Sequence, residues 1–506
     1  MDTFVPIFAM ADSYKASHFL MYPECSKMIA YGEFRTPMQG MKTDGIQDNR
    51  FVFYGMRHYI ENYICKKWTL HDVEMAEMFF STHNTQSSAY PFPKDLFESF
   101  ITHNNGYFPV TIHALPEGTV AYTRTPVFMI TAQDKYARLC TYLETLLTMV
   151  WYGSSVATIS RYTKDIIKEG FVKSVDNELS YIMNSRLHDF GFRGCASVEQ
   201  AMIGGSAHLL SFGGSDNMAA CYHAQYNLNN KIPVANSIPA AEHSVMTAWC
   251  NEKEAMKNQV EVFGHGIFSV VMDSYDYDNA LDTILPTVSD AIKEKGGFIV
   301  IRPDSGDPID QVVKGLKAAE KCFDTSLNSK GYKILHGAVV LQGDGIDYEK
   351  IREIQENVIG NGFSATCVAY GMGGSLLQKV NRDTMSFATK LCYIETQDGQ
   401  SRDVMKTPKS GTGKTSLPGE LFVGREAPGK PIMVYAKNEE ICQQLENAMR
   451  LVYDNGPVPD AFDDIRTIRT RLEYEWSVVP PRGNPISKGL AAKIQQILID
   501  RGHTAK

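Results

Sequence analysis

At 506 residues, with 43% apolar and 21% charged residues, the chain has ordinary globular composition and is longer than one compact core organises, so two domains are expected. Its formal net charge of -8 repels a nucleic-acid backbone at long range, which argues against nucleic acid as the main partner and confines any phosphate ligand to a local basic cluster. No apolar run approaches the ~20 residues that span a bilayer. The ten cysteines form no CxxC pair, which argues against a zinc site or a disulfide framework and for a reducing, cytoplasmic setting.

In chain order, the opening stretch MDTFVPIFAMADSYKASH has no basic n-region and does not read as a secretory leader. Residues 186–194, RLHDFGFRG, pack His188, Asp189, Phe190 and Arg193 together and read as a turn with core aromatics. In SFGGSDNMAA, Asp216 reads as the cap of a helix starting near residue 217. Residues 237–249, SIPAAEHSVMTAW, have helical apolar spacing with His243 early in the helix. A lone helical histidine is by default structural.

The most regular stretch follows. Strands are predicted over 268–272 (FSVVM), 298–301 (FIVI), 338–341 (AVVL) and 365–369 (ATCVA), and helices over 279–295, 309–323 and 348–358, with another from Leu376 and Leu377. Pro286 is expected to kink the first of these helices. Continuous apolar strands alternating with helices make parallel β/α units, so the fold class is α/β, either a barrel or a doubly wound sheet. Residues 397–419 and 479–484 are rich in Gly, Ser and Pro and read as loops.

Each predicted strand is followed by a polar or glycine-rich tip: DSYD, RPDSG, QGDG and YGMGGS. Any one of these is ordinary turn chemistry. Four in register deliver Asp273, Arg302, Asp304, Gly343, Asp344, Gly373 and Gly374 to the C-terminal rim of a parallel sheet, where such folds place their sites. Asp304 and Asp344 can accept hydrogen bonds from vicinal sugar hydroxyls. Gly373 and Gly374 let backbone N–H groups approach a phosphate at a helix start. Arg382 and Lys390 add nearby cations, so sugar plus phosphate is the implied ligand. The segment SGTGKT (residues 410–415) is not a P-loop, because Pro408 stands where its first glycine belongs and Pro418 interrupts the helix it needs.

Taken together, ADSYKASH, LHDFGFRG, GGSD, SIPAAEHS, SVVMDSYD, FIVIRPDSGDP, LQGDGID and YGMGGSLLQKVNRD resemble, in the same order, the nicotinamide phosphoribosyltransferase family of type II phosphoribosyltransferases, in a bacterial or bacteriophage form. The match runs from about residue 10 to 425. The resemblance implies an irregular TIM-like α/β barrel over residues 181–390 and a second α+β domain built from residues 1–180 and 391–506. It implies a homodimer with shared active sites, and transfer of phosphoribose from phosphoribosyl pyrophosphate to nicotinamide with Mg2+. It also implies ATP hydrolysis through a phosphohistidine, matched by His243, with Asp273 or Glu242 as its orienting acceptor.

By the same resemblance, Phe190 and the partner subunit's Tyr14 sandwich the pyridine ring, Asp216 reads the carboxamide, Arg193 is the ring-side donor, and Ser237, Ser269 and Asp273 line the region. Arg302, Asp304, Gly343 and Asp344 hold ribose and pyrophosphate. Arg35, Arg382, Lys390 and Lys409, with magnesium held mainly by substrate phosphates and water, neutralise the leaving group. The sequence departs from the family pattern in DTMSFAT, between Arg382 and Lys390, and in a shorter basic loop, TPKSGTGKTS. The alternatives are the nicotinate enzyme, which a neutral residue at 216 would suit better, and a non-catalytic signalling protein on the same fold.

Overall fold

The computed structural model describes residues 5–85, 88–408 and 415–502. The chain divides into two compact units, Val156–Val380 and Met1–Ser155 with Asn381–Lys506. The division falls inside the long helix Val150–Ser174. Among the described residues no helix is long and apolar enough to cross a membrane.

Residues Val156–Val380 form a parallel sheet of six strands: β1 (Leu187–Asp189), β2 (Gly214–Ser215), β3 (Ile267–Val271), β4 (Phe298–Arg302), β5 (Ala338–Gln342) and β6 (Val368–Met372). The order is β3-β4-β5-β6-β1-β2, and every neighbouring pair is parallel. The two edges are joined by the segment 236–240. Gly214 bridges Asn236 on one side and Ala240 bridges Ser269 on the other, with Ser215 N–H donating to Asn236 at 3.1 Å and Ser269 N–H to Pro239 at 2.8 Å. Pro239 has no N–H of its own, so this closing segment makes isolated bridges rather than a full ladder. The result is a curled, irregular half-barrel whose two edges are bridged by this one segment, in keeping with the irregular α/β barrel that the family resemblance implies.

Helix starts explain which rim residues stay free. Asp307, not Asp304, caps helix Pro308–Cys322, accepting from the N–H groups of Ile309 and Asp310 at 3.0 Å each, with proline at the tolerated first position. Asp347, not Asp344, caps helix Tyr348–Gly360.

Four expected elements differ. The helix over 279–295 is divided into Tyr277–Asn279, a π-turn Ala280–Ile284 and helix Leu285–Lys295. The wide turn ends just before Pro286, which then needs no i-4 partner. The strand over 365–369 begins only at Val368, because Ser364 Oγ accepts from Thr366 N–H and holds Ala365–Cys367 in a 3-10 turn. The helix over 237–249 shrinks to His243–Thr247, since residues 236–240 bridge the two sheet edges. The helix after Gly373 is four residues, Gly374–Leu377, too short for a dipole to gather on Gly373 and Gly374.

The other unit is built on an antiparallel sheet, in the order Ser401–Asp403, Ala388–Glu395, Lys27–Glu33, Pro126–Gln133, Thr111–Ala114 and Arg450–Asp454. Both ends of the chain therefore supply strands. Ile29, Tyr31, Cys392, Leu421, Val434 and Leu490 pack into one of its cores, each fully buried apolar side chain contributing about 1.5–3 kcal/mol. The expected loop over 397–419 contains the edge strand Ser401–Asp403. Residues 479–484 are irregular, as expected. All ten cysteines are free.

Candidate active site

A cavity of about 490 Å³ lies within the barrel unit. Phe190, Asp216, Ser237, Ser269 and Arg302 line it, among apolar walls that include Val300 and Leu341. All five are expected site residues. Phe190 follows β1 and Asp216 follows β2, so the two shortest strands contribute two of the most informative groups.

Asp189 fixes both. It is fully buried, its Oδ1 accepts from Gly191 N–H at 2.7 Å and its Oδ2 from Asn217 Nδ2 at 2.9 Å. Its backbone carbonyl accepts from Asp216 N–H at 3.1 Å. Burial pushes its carboxyl up to about 6, against those donors. The helix cap expected at Asp216 falls instead to Asn217, whose Oδ1 accepts from Ala220 N–H at 3.2 Å. Asp216 is thereby left exposed to the cavity, where its Oδ1 accepts a hydrogen bond from Ser237 Oγ.

Phe190 needs glycine beneath it. A Cβ on Gly371 would stand 2.1 Å from Phe190 Cε2, and one on Gly343 would stand 3.1 Å from the same atom. Gly343 and Gly371 thus make room for a ring. His188, on β1, also lines the cavity, and burial lowers its basicity while Asp216 opposes that shift. Arg302 donates from Nη2 to the Ala241 carbonyl at 2.8 Å, and its buried Nε has no hydrogen-bond partner among the described residues.

A second cluster occupies the same rim. Asp273, which follows β3, accepts at Oδ2 from Asp304 N–H at 2.9 Å and from Ser305 Oγ at 2.5 Å. His243 Nε2 lies 3.4 Å from Asp304 Oδ2 and 3.8 Å from Asp273 Oδ1. Its Nδ1 lies 3.0 Å from Ser274 Oγ. Glu242 accepts from Ser244 Oγ, so of the two acceptors left open, Asp273 is the one that faces His243. Ser274, in DSYD, is a functional candidate the sequence does not mark, because a serine in a polar tip carries no signal of its own.

The remaining residues are placed as follows. Arg193 is exposed in the 3-10 turn Phe192–Gly194 and does not line the cavity. Asp344 and Gly373 follow β5 and β6, with Asp344 exposed. Tyr14, Arg35, Arg382 and Lys390 belong to the other unit. There Tyr14 is 51% exposed, and Arg382 is exposed and pairs with Asp383 at 3.3 Å. Arg35 Nε donates to the Ser386 carbonyl at 2.9 Å and Lys390 Nζ to the Thr389 carbonyl at 2.7 Å. Burial pushes Lys390 down, and Arg35 and Lys406 add to the shift against Glu144 and Glu33. Lys406 and Arg124 thus stand with Arg35 and Lys390 in a cationic cluster around the acid Glu33, and of the four only Arg35 and Lys390 are marked by the sequence. Lys409 and residues 410–414 lie outside the described residues. Among the described residues no group of three or more His, Cys, Asp or Glu side chains is arranged to hold a metal ion.

The model of the nicotinate phosphoribosyltransferase (NAPRTase) family matches residues 185–456, and that of the nicotinamide phosphoribosyltransferase N-terminal domain matches residues 6–112. The nicotinamide phosphoribosyltransferase of Xanthomonas campestris pv. campestris is 38% identical over 423 residues, 82% of this chain and 86% of that protein. That of Acinetobacter baylyi is 29% identical over 496 residues, 90% of this chain and 95% of that protein. The crystal structure of human nicotinic acid phosphoribosyltransferase shares the fold, with a TM-score of 0.63 at 17% identity over 96% of this chain and 99% of that one. With a parallel α/β barrel unit and relatives matched over most of its length, the chain belongs to the nicotinate phosphoribosyltransferase (NAPRTase) family, among its nicotinamide phosphoribosyltransferases.

Proposed function

We propose that this protein transfers the 5-phosphoribosyl group of phosphoribosyl pyrophosphate to nicotinamide, giving nicotinamide mononucleotide and pyrophosphate for NAD biosynthesis. The observation that carries the reading is the pairing, at one cavity, of an aromatic face with an acid: Phe190 beside Asp216. A flat, electron-poor pyridine suits the first. The Asp216 carboxylate accepts an amide N–H of nicotinamide and repels the carboxylate of nicotinate. That repulsion disfavours the nicotinate reaction.

In this reading the pyridine nitrogen attacks C1 of the ribose while the bond from C1 to the diphosphate oxygen breaks. Positive charge develops on the sugar, and the carboxylates of Asp304 and Asp344 at the strand tips stabilise it. Arg302 holds substrate oxygens, and the family resemblance assigns Arg35 and Lys390 to the departing pyrophosphate. Among the described residues no side-chain cluster is arranged to hold a metal ion; in this reading magnesium is held by the substrate's phosphates and water, and no step is assigned to it. The second face of the ring is completed by the partner's Tyr14 in a homodimer.

ATP enters through His243. A neutral imidazole nitrogen attacks the γ-phosphorus, ADP leaves, and water later releases the phosphate. The ring is suited to this role by carboxylates on its Nε2 side and the Ser274 hydroxyl on its Nδ1 side. His243→Ala should abolish ATP-stimulated synthesis and acid-labile protein phosphate while leaving ATP-independent synthesis measurable. Labelling that persists in the variant would place the acceptor elsewhere. The function itself is tested by incubating the protein with phosphoribosyl pyrophosphate and each pyridine base, with and without ATP. The expected product is nicotinamide mononucleotide. Preferential use of nicotinate, or no reaction with either base, would refute the proposal.

A further inference from the structure

The cationic cluster of the sheet unit contains one acid that the transfer reaction does not use. Glu33 ends strand Lys27–Glu33 and is fully buried. Its Oε1 accepts a long hydrogen bond from the Tyr31 hydroxyl at 3.5 Å. Its Oε2 lies 3.4 Å from Arg124 Nε and accepts no hydrogen bond among the described residues.

The charges around it come from every side. Arg124 precedes the neighbouring strand Pro126–Gln133, Lys390 lies on the other neighbour, Ala388–Glu395, and Arg35 follows on the same chain. Lys406 and Glu144 act on Lys390 in turn, and Glu144 is paired with Lys15. Arg138, on the turn Asp134–Leu139 packed against the same strand, is paired with Glu24 at 3.0 Å. Arg35, Arg124 and Lys390 otherwise donate to the neutral carbonyls of Ser386, Thr415 and Thr389. Glu33 is thus an acid shared by three cations whose hydrogen bonds go to neutral carbonyls, with Glu144 as a second acid acting on Lys390 alone.

We propose that Glu33 is the exchangeable counter-charge of the diphosphate seat, ionised while the seat is empty and protonated from solvent when the anion arrives. This rests on the reading that Arg35 and Lys390 hold the diphosphate. Burial pushes Glu33 up to about 7, against the pull of Arg124, Arg35 and Lys390, so both states are within reach near neutrality. An incoming polyanion adds like charge and favours the protonated acid. By linkage, anion binding then takes up a proton. Around pH 6 the acid is mostly neutral and uptake is small. At pH 8 it is mostly ionised, and binding must first protonate it, at a cost of about tenfold in affinity.

The test is calorimetric titration of the full chain with inorganic pyrophosphate at pH 6 and pH 8, in buffers of differing ionisation enthalpy. Glu33→Gln keeps the shape and removes the charge, and pyrophosphate's own ionisation is common to both proteins. At pH 8 the wild type should take up nearly one proton more per site than Glu33→Gln and should bind about tenfold more weakly, a gap that closes at pH 6. Equal uptake, or an affinity ratio that does not change with pH, overturns the proposal. Should Glu33→Gln fail to fold, the wild type is titrated with sulfate, which does not ionise in this range. Uptake at pH 8 that disappears at pH 6 supports the role, and no uptake at either pH overturns it. Arg35→Ala separates the two readings. If it leaves pyrophosphate affinity unchanged, the seat itself lies elsewhere and both readings fall. If it weakens binding while Glu33→Gln behaves as wild type, only the counter-charge role falls.

Discussion

Arg302→Ala should lower kcat/KM for nicotinamide mononucleotide synthesis by about 10²–10³-fold while leaving the melting temperature nearly unchanged. Arg302 stands at the end of β4, at the cavity wall, with one nitrogen committed to the Ala241 carbonyl and its buried Nε without a partner among the described residues. An unpaired buried donor on a guanidinium is costly, and it persists where a ligand oxygen will complete it. A donor of this kind aimed at developing charge contributes about 2.7–4 kcal/mol to the transition state, and each 1.36 kcal/mol is about tenfold in rate. Arg302→Lys keeps the charge but not the planar fork, so its loss should be intermediate, about tenfold. Steady-state kinetics with both variants checks this. A change below about threefold for Arg302→Ala would remove Arg302 from the reaction.

Asp216→Asn should collapse the preference for nicotinamide over nicotinate by about 10²–10³-fold, chiefly through gain of the nicotinate reaction. Two like charges about 4 Å apart at an effective dielectric constant of about 20 repel by ~4 kcal/mol, enough to exclude nicotinate. An asparagine removes the charge, and its amide can accept from nicotinamide or donate to nicotinate. Asp216 is free to act this way because Asn217 takes the helix cap and because the Asp189 carbonyl and the Ser237 hydroxyl hold its backbone and side chain. The ratio of kcat/KM for the two bases is the readout, and an unchanged ratio would show that selectivity is set elsewhere in the cavity.

The parts of the molecule visible in the sequence are those with local periodicity. Strands Phe298–Arg302 and Ala338–Gln342 are continuous apolar runs buried among parallel neighbours, so their tips were found at once. Strands of two and three residues at Gly214–Ser215 and Leu187–Asp189 are shorter than any pattern that periodicity resolves. Phe190 and Asp216 therefore emerged from family resemblance rather than from the residues themselves. Pro239 signals a break, yet only the tertiary fold reveals that its segment bridges the two edges of the sheet. The cluster of Glu33, Arg124 and Lys390 is drawn from three strands or turns far apart in the chain, and no local window contains it. Gly371 stands in the glycine-rich YGMGGS tip, where its missing side chain accommodates the Phe190 ring, a role no local pattern reveals.

The tips of the parallel strands should gather around a single nucleotide. The most direct measurement is a crystal structure of this protein with nicotinamide mononucleotide. It should show the pyridine ring against Phe190, the carboxamide on Asp216, and the phosphoribose reaching toward Arg302 and Asp304. Nucleotide bound elsewhere, or turned so that its ring leaves Phe190 and Asp216, would contradict the account.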